Sequence, residues 1–285
     1  MTTTAAQWVQ GARPRTLPAA VAPVLVGTGA ALPDARPGRA LLALVVALAL
    51  QVGVNYANDY SDGVRGTDAD RVGPLRLVGS GVAAPTAVKR AALLAFGVAA
   101  VAGLVLAALT TWALLAVGGV ALAAAWGYTG TSRPYGYRGL GELSVFVFFG
   151  LVAGVGTTYV QREDVPPAAV LGGVAMGALA CAILVANNLR DVPTDEVVGK
   201  RTLAVVLGDP RTRVLYVALL ALAYVAVVPL APWGLLALLS APLAVPLVRT
   251  VTGGATGRDL VPVLGGTGRL QLAHAVLLTA GLAVG

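Results

Sequence analysis

Apolar positions in this chain do not alternate with polar ones, as in a half-buried strand, nor do they trace the narrow stripe of a surface helix. They fill whole blocks, such as ALLALVVALALQVGV at 40–54, separated by short polar links. A helix that is apolar all round must be buried in protein or lipid, and about 17–25 residues cross a hydrocarbon layer of about 30 Å. The pattern predicts an all-α, polytopic bundle with nine membrane-spanning helices, over about 16–32, 40–58, 90–108, 111–128, 141–160, 167–188, 213–231, 233–250 and 270–285. Pro18 and Pro23 interrupt the first block. Arg13 and Arg15 before it, with GAALPDA after it, also fit a signal peptide. A retained first helix gives the odd number of spans that the charges support.

With the N-terminus in the cytoplasm, the links alternate sides, and every basic residue except Arg36, Arg39 and Arg162 falls inside. That asymmetry agrees with the positive-inside rule, and therefore with nine spans. The charges are spread between apolar blocks rather than gathered in one module, so the net charge of +7 reflects topology and not nucleic-acid binding. Of the 285 residues 57% are hydrophobic and only 12% charged, against about 25% charged in soluble domains; this is an integral membrane protein in a single domain, 1–285. Cys181 is the only cysteine and His274 the only histidine. Disulfide frameworks, thiolate metal sites and histidine-based metal sites are thereby excluded, and a Ser-His-Asp triad is disfavoured.

The acids follow a second pattern. NYANDYSDGVRGTDADR, residues 55–71, carries Asp59, Asp62, Asp68 and Asp70 at the cytoplasmic end of the second span. NNLRDVPTDEVVGKRTL, residues 187–203, carries Asp191, Asp195 and Glu196 at the same end of the sixth. At about 100° per residue, Asn55, Asn58, Asp59 and Asp62 share an arc of roughly 100°, and Asn187, Asn188, Asp191 and Asp195 share a similar one. Pro193 predicts a local end or bend in that helix. Carboxylates gathered at a membrane boundary repel one another and lose hydration, so a cation should lie between the strips. With only oxygen ligands on offer, Mg²⁺ leads, held by one or two carboxylates and by substrate phosphates. Arg65, Arg71, Arg76, Lys200 and Arg201 stand beside the motifs as partners for a diphosphate. Asp68 and Asp70 also read as a polar turn.

These two motifs resemble those of the UbiA superfamily of intramembrane prenyltransferases, an N-D-x-x-D-x-x-x-D motif and a D-x-x-x-D motif on separate helices of a nine-helix bundle. The first reads Asn58, Asp59, Asp62, then departs, with Gly66 in place of the last aspartate and Asp68 two residues later; the second reads Asp191 and Asp195. The shifted form NDYSDGVRGTDADRVGPLRLV, the opening ARPRTLPAAVAPVLVGTG and NNLRDVPTDEVVGKRTLAVVLG are similar to the menaquinone branch, whose acceptor is 1,4-dihydroxy-2-naphthoate.

The resemblance implies Mg²⁺ as cofactor, with Asn58, Asp62, Asp191 and Asp195 as principal ligands and Asp59 and Asp68 assisting. Polyprenyl diphosphate and the naphthoate are the implied substrates, joined with loss of diphosphate and CO₂ to give demethylmenaquinone. Lys200 and the arginines would stabilise the leaving diphosphate. Asn55 and Asn187 are candidates for polar contacts to substrate, or for helix-helix hydrogen bonds. In YTGTSRPYGYRGLGE at 128–142, Tyr128, Tyr135 and Tyr137 are candidates for lining an allylic-cation pocket, or interfacial aromatics. Arg133 and Arg138 are candidates for contacting diphosphate or carboxylate, and the role of Glu142 stays open. The expected setting is a prokaryotic plasma membrane, with the N-terminus and motif loops cytoplasmic; oligomeric state is not encoded in these patterns. Two alternatives stand: the same chemistry with another acceptor such as 4-hydroxybenzoate, or a secondary transporter, which should place its acids near the bilayer midplane.

Overall fold

The computed structural model describes residues 3–66 and 75–285, and among these there are helices and turns but no strand. Prolines set many of the helix starts, because a fixed φ and a missing N–H cost nothing in a first turn. After the short α1 (Ala5–Gly11) and a 3₁₀ turn, prolines open α2 (Pro18–Gly29), α3 (Pro37–Arg65) and α4 (Pro85–Leu109). The chain continues with α5 (Leu114–Gly127), a 3₁₀ turn at Tyr135–Arg138, and a rod made of α6 (Gly141–Val145), a π-helical stretch Phe146–Val155 and α7 (Gly156–Arg162). Then come α8 (Pro167–Val197), the short α9 (Leu203–Leu207), α10 (Asp209–Val227), a 3₁₀ stretch running into α11 (Ala241–Thr252), and α12 (Val261–Val284).

Among the described residues, six stretches are long and apolar enough to cross a membrane: α3, α4, Gly141–Arg162, α8, Asp209–Leu230 and Trp233–Thr252. The apolar α2 and α5 are shorter, at 12 and 14 residues. Both motif helices outrun the apolar blocks that predict them. α3 continues to Arg65 and α8 to Val197, so Asp59 and Asp62 of the first motif and Asp191 and Asp195 of the second ride on unbroken extensions of spans, and Pro193 lies inside α8 instead of ending it. Hydropathy marks where lipid contact stops; backbone hydrogen bonding continues past that point, and Gly66, in the left-handed region at φ 73°, terminates α3.

α8 is the central helix: 67% of its apolar window is buried in protein, against 28–33% for the other five. It packs on α10, the π-helical stretch, α12 and α2, while α3 lies along α4 and also touches α2. Thus α2 touches both motif helices. Small residues permit the close approaches, since lipid provides no hydrophobic drive between helices. A Cβ built on Gly150 would lie 2.6 Å from both the Gly173 carbonyl oxygen and Gly177 Cα. At the opposite end of α3 from its motif, Arg36 and Arg39 contact Glu163 at 3.2 and 3.0 Å, and Arg162 contacts Asp164 at 2.8 Å. The hydrogen bond and charge of Arg39, with Arg36 beside it, hold the exposed Glu163 carboxyl below its ordinary range.

Gly150→Ala should lower the thermal unfolding midpoint of the detergent-solubilised protein by an amount equivalent to about 1–3 kcal/mol of overpacking. Gly118→Ala on α5, where a Cβ meets nothing within 4 Å, should leave it unchanged or raise it slightly, as helix propensity favours alanine. Equal midpoints for the two variants would contradict the packing described.

Candidate active site

Between the motif ends of α3 and α8 lies a cavity of about 590 Å³. Its polar end is lined by Asn58 and Asp62 from α3, by Asn187, Asn188 and Asp195 from α8, and by Lys200, Arg13 and Arg76. The rest is apolar, walled by Ala99 and Gly103 of α4, Gly118 and Gly119 of α5, and Phe148, Phe149 and Val152 of the π-helical stretch. The charged side chains on its wall, Arg13, Asp62, Arg76, Asp195 and Lys200, all belong to the motif end of a mostly apolar chamber.

Lys200 joins the two motifs. Its ammonium lies 3.6 Å from Asp62 Oδ2 and 4.0 Å from Asp195 Oδ1, and 4.6 Å above the Tyr137 ring. The Tyr137 hydroxyl donates to Asp62 Oδ1. A tight turn aims the lysine: Gly199 sits at φ 73°, which favours glycine, and the Lys200 N–H donates to the Asp195 carbonyl at 2.8 Å. Asp62, Asp195 and Lys200 are all buried, with exposures of 3%, 7% and 7%. In so dry a setting charges persist when paired.

The other predicted residues divide by position. Asn58 lines the cavity, and its Oδ1 accepts from the Thr129 hydroxyl at 2.6 Å. Asp59, fully buried, turns off the cavity wall and accepts the Leu77 and Val78 N–H groups at 2.7 and 3.0 Å, tying the segment from 75 onward to α3. Asn55 reaches the cavity, but its amide donates to the Ala12 carbonyl at 2.9 Å and to the Thr16 hydroxyl at 3.0 Å, fastening α3 to the N-terminal segment. On α8, Arg190 grips Asp191 through two bonds of 2.6 and 2.7 Å and also donates to Asn187 Oδ1 at 2.9 Å. Asp191 therefore adjoins the cavity through Asn187.

Tyr128, Tyr135 and Tyr137 all reach the cavity wall. Tyr128 and Tyr135 meet edge to face, 5.5 Å between ring centres, and Tyr135 donates to the Ala124 carbonyl at 2.8 Å. Burial pushes the Tyr135 phenol up, which keeps it protonated for that bond. Arg76 lines the cavity. Arg65, Arg133, Arg138 and Arg201 are exposed and lie off its wall. Arg65 donates to the Thr129 and Thr131 carbonyls, and the Arg201 N–H to the Tyr137 carbonyl at 3.1 Å, so both brace the 128–138 segment. Asp68, Asp70 and Arg71 lie outside the described residues.

Arg13, Thr129 and Asn188 are among the cavity residues that carry no site role in the sequence reading. Arg13, read only for its charge, lines the polar end from a left-handed backbone at φ 55°, a conformation that in a non-glycine residue often marks function. Thr129 carries no signal at all. Asn188 lies in the polar arc of the second motif without a role of its own.

No group of three histidine, cysteine, aspartate or glutamate side chains stands close enough to hold a metal ion among the described residues. Two carboxylates, Asp62 and Asp195, meet at Lys200, with the amide of Asn58 one helical turn from Asp62 on the same cavity wall. That all-oxygen set fits a hard cation such as Mg²⁺, which takes one or two carboxylates and keeps waters and phosphate oxygens for the remainder. The buried Lys200 between the carboxylates marks the same place as one that favours positive charge.

Residues 20–258 match the model of the UbiA prenyltransferase family. The chain is 56% identical to the 1,4-dihydroxy-2-naphthoate octaprenyltransferase of Mycobacterium tuberculosis, covering 98% of each chain. It is 40% identical to the enzyme of that name from Escherichia coli, over 90% of this chain and 86% of the other. Among solved structures, a UbiA homologue from Aeropyrum pernix superposes with a TM-score of 0.70 at 17% identity, covering 93% and 96% of the two chains. A homologue from Archaeoglobus fulgidus bound to DMAPP and Mg²⁺ gives 0.63 at 14%, covering 95% and 99%. These two share the fold.

Asp59→Ala should behave as a stability variant. Two buried N–H groups lose their acceptor, at about 1–3 kcal/mol each, and thermal unfolding in detergent should show a clear drop in midpoint. Asp59→Asn, which keeps one acceptor oxygen, should fall between. An unchanged midpoint in the alanine variant would refute the anchoring role.

Proposed function

The chain belongs to the UbiA prenyltransferase family, and from that premise we infer that it transfers a polyprenyl group from polyprenyl diphosphate to 1,4-dihydroxy-2-naphthoate. Diphosphate and CO₂ leave, and demethylmenaquinone forms at the quinol level for menaquinone biosynthesis. The observation that carries this reading is the pairing of Asp62 and Asp195 through Lys200 at one end of an otherwise apolar cavity. A substrate with a strongly anionic head and a long hydrocarbon tail has that polarity.

Asn58, Asp62 and Asp195 would hold Mg²⁺, with Asp191 further along α8 fixed by Arg190. Bound there, the ion would neutralise charge on the departing diphosphate. Lys200, Arg13 and Arg76 aim fixed positive charge at the same head group, which stabilises the bridging oxygen as its bond to the allylic carbon breaks. The Tyr128 ring on the cavity wall flanks the developing allylic cation, while Tyr137 already lies under Lys200; the apolar walls keep water from capturing the cation. The acceptor ring then supplies the electron pair for the new carbon–carbon bond. Loss of the ring carboxylate as CO₂ returns a pair to the ring, so the exchange balances without an oxidant.

This is a multi-pass membrane protein. We read α2, α5 and α12 as crossings in addition to the six long apolar stretches, giving nine within one domain over 1–285. The positive-inside asymmetry puts the N-terminus and both motifs on the cytoplasmic side of a prokaryotic plasma membrane.

Purified protein given dihydroxynaphthoate, a long polyprenyl diphosphate and Mg²⁺ should yield the prenylated, decarboxylated quinol, detected by mass spectrometry, and chelation should stop it. Asp62→Ala or Asp195→Ala should lower kcat/KM by at least on the order of 10²–10³. Prenylation of 4-hydroxybenzoate with none of dihydroxynaphthoate would overturn the acceptor assignment.

A further inference from the structure

Glu142 and Asn188 form a buried polar pair that no step above uses. Both are 8% exposed, and Asn188 Nδ2 donates to Glu142 Oε1 at 2.9 Å. Glu142 Oε2 is buried without a partner; in the ionised form Glu142 only accepts, and the contact then fixes which end of the Asn188 amide is nitrogen. Asn188 lines the cavity and Glu142 does not. The carbonyl oxygen of Asn188 receives no hydrogen bond from any described residue, yet it is absent from the buried atoms that lack a partner. It is therefore the part of the side chain left open to the cavity. Glu142 is held in turn by its place in the first turn of the span at Gly141, and its backbone carbonyl accepts from Cys181 at 3.0 Å.

Position gives this oxygen a task. Asn188 precedes Asp195 by about two helical turns, roughly 10 Å of rise, with an angular offset of only about 20°. Both line the same cavity, Asp195 at the end where Lys200 sits, while one turn further in the wall is Leu184, Ile183 and Ala180. Asn188 marks the boundary between the anion-binding end and the apolar chamber, with Tyr128 and Phe148 also on the wall. An aromatic acceptor attacking the allylic carbon must lie just inside the diphosphate, at about this depth.

Resting on the functional reading above, we propose that Asn188 is the acceptor-recognition residue, its Oδ1 taking a hydrogen bond from a ring hydroxyl of the dihydroxynaphthoate, and that Glu142 is its positioning residue. The chemistry is directional. An O–H that donates to a carbonyl carries more negative charge on its oxygen, which enriches the ring carbon that attacks. If the amide were reversed, its N–H₂ would donate to that hydroxyl and withdraw electron density, and Glu142 prevents the reversal. The same polarity selects acceptors that present a hydroxyl at this depth.

Steady-state kinetics in both substrates tests the pair. Asn188→Ala and Glu142→Ala should each raise KM for dihydroxynaphthoate about tenfold, the value of one hydrogen bond, with KM for polyprenyl diphosphate unchanged. Glu142→Gln, whose amide oxygen still accepts from Asn188, should stay within about twofold of wild type, and the double alanine variant should be no worse than Asn188→Ala alone. For variants that fold poorly, the wild type answers by itself: of the two monomethyl ethers of dihydroxynaphthoate, one should lose about tenfold in kcat/KM relative to the other. Wild-type turnover with an unmoved acceptor KM in Asn188→Ala, a parallel rise in both KM values, or equal use of the two ethers would overturn this proposal alone. Absence of any product from wild-type protein would overturn the functional reading and this proposal with it.

Discussion

Two carboxylates from different helices meet one ammonium where lipid-facing helices end, and the rest of the architecture serves that meeting. Asp62 and Asp195 are too buried to be held by water. Each needs a nearby positive charge, and Lys200 supplies it to both. The cost of keeping such charges in a dry setting is recovered only when geometry is good. That condition demands two rigid helices whose last turns are fixed relative to each other.

Several features look arbitrary until placed under that demand. α3 and α8 extend beyond their apolar blocks because a carboxylate on a loop would wander, whereas one on a continuous helix is set by the backbone. α2 touches both, and Asn55 and Gln51 bond to Thr16 just before it. The glycines of the π-helical stretch let it close onto α8, which brings Phe148 and Phe149 to the cavity. π-helical turns occur often at functional sites; here the turn packs on α8 at Gly173 and Gly177, N-terminal to the second motif. Even the exposed Arg65 contributes, fixing the segment that carries Tyr137.

What the sequence revealed follows from which signals are local. Blocks of apolar residues marked helices, six of them among the described residues long and apolar enough to cross a membrane, and a repeated run of Asp and Asn marked two helix ends that meet at one cavity, because a helix projects neighbours three and four apart onto one face. Direction within that face was not legible. Asp59 and Asp62 look equivalent in NDYSD, yet about 60° of rotation separates them. One turns to the backbone of Leu77 and Val78, the other to Lys200. Basic residues showed the same limit. Lys200 and Arg76 reach the cavity while Arg133, Arg138 and Arg201 do not, a difference set by turns such as the one at Gly199 and not by composition. Arg13 was hidden further, since its place depends on a left-handed backbone that nothing adjacent in sequence requires.

The acids of the two motifs thus divide into those that hold the fold and those left to face the cavity, and the division has a physical reason. On the function proposed above, a carboxylate facing a departing diphosphate and its counter-ion must be able to exchange partners during turnover, so it cannot also be the sole anchor of a loop. Lys200 is suited to such exchange: a compact ammonium on a flexible stem moves from one oxygen to another more easily than a two-pronged guanidinium. The Arg190 fork on Asp191 is the contrary choice, two fixed bonds in a fully buried place. An arginine where geometry must persist and a lysine where charge must shift give the second motif a rigid base and a responsive tip.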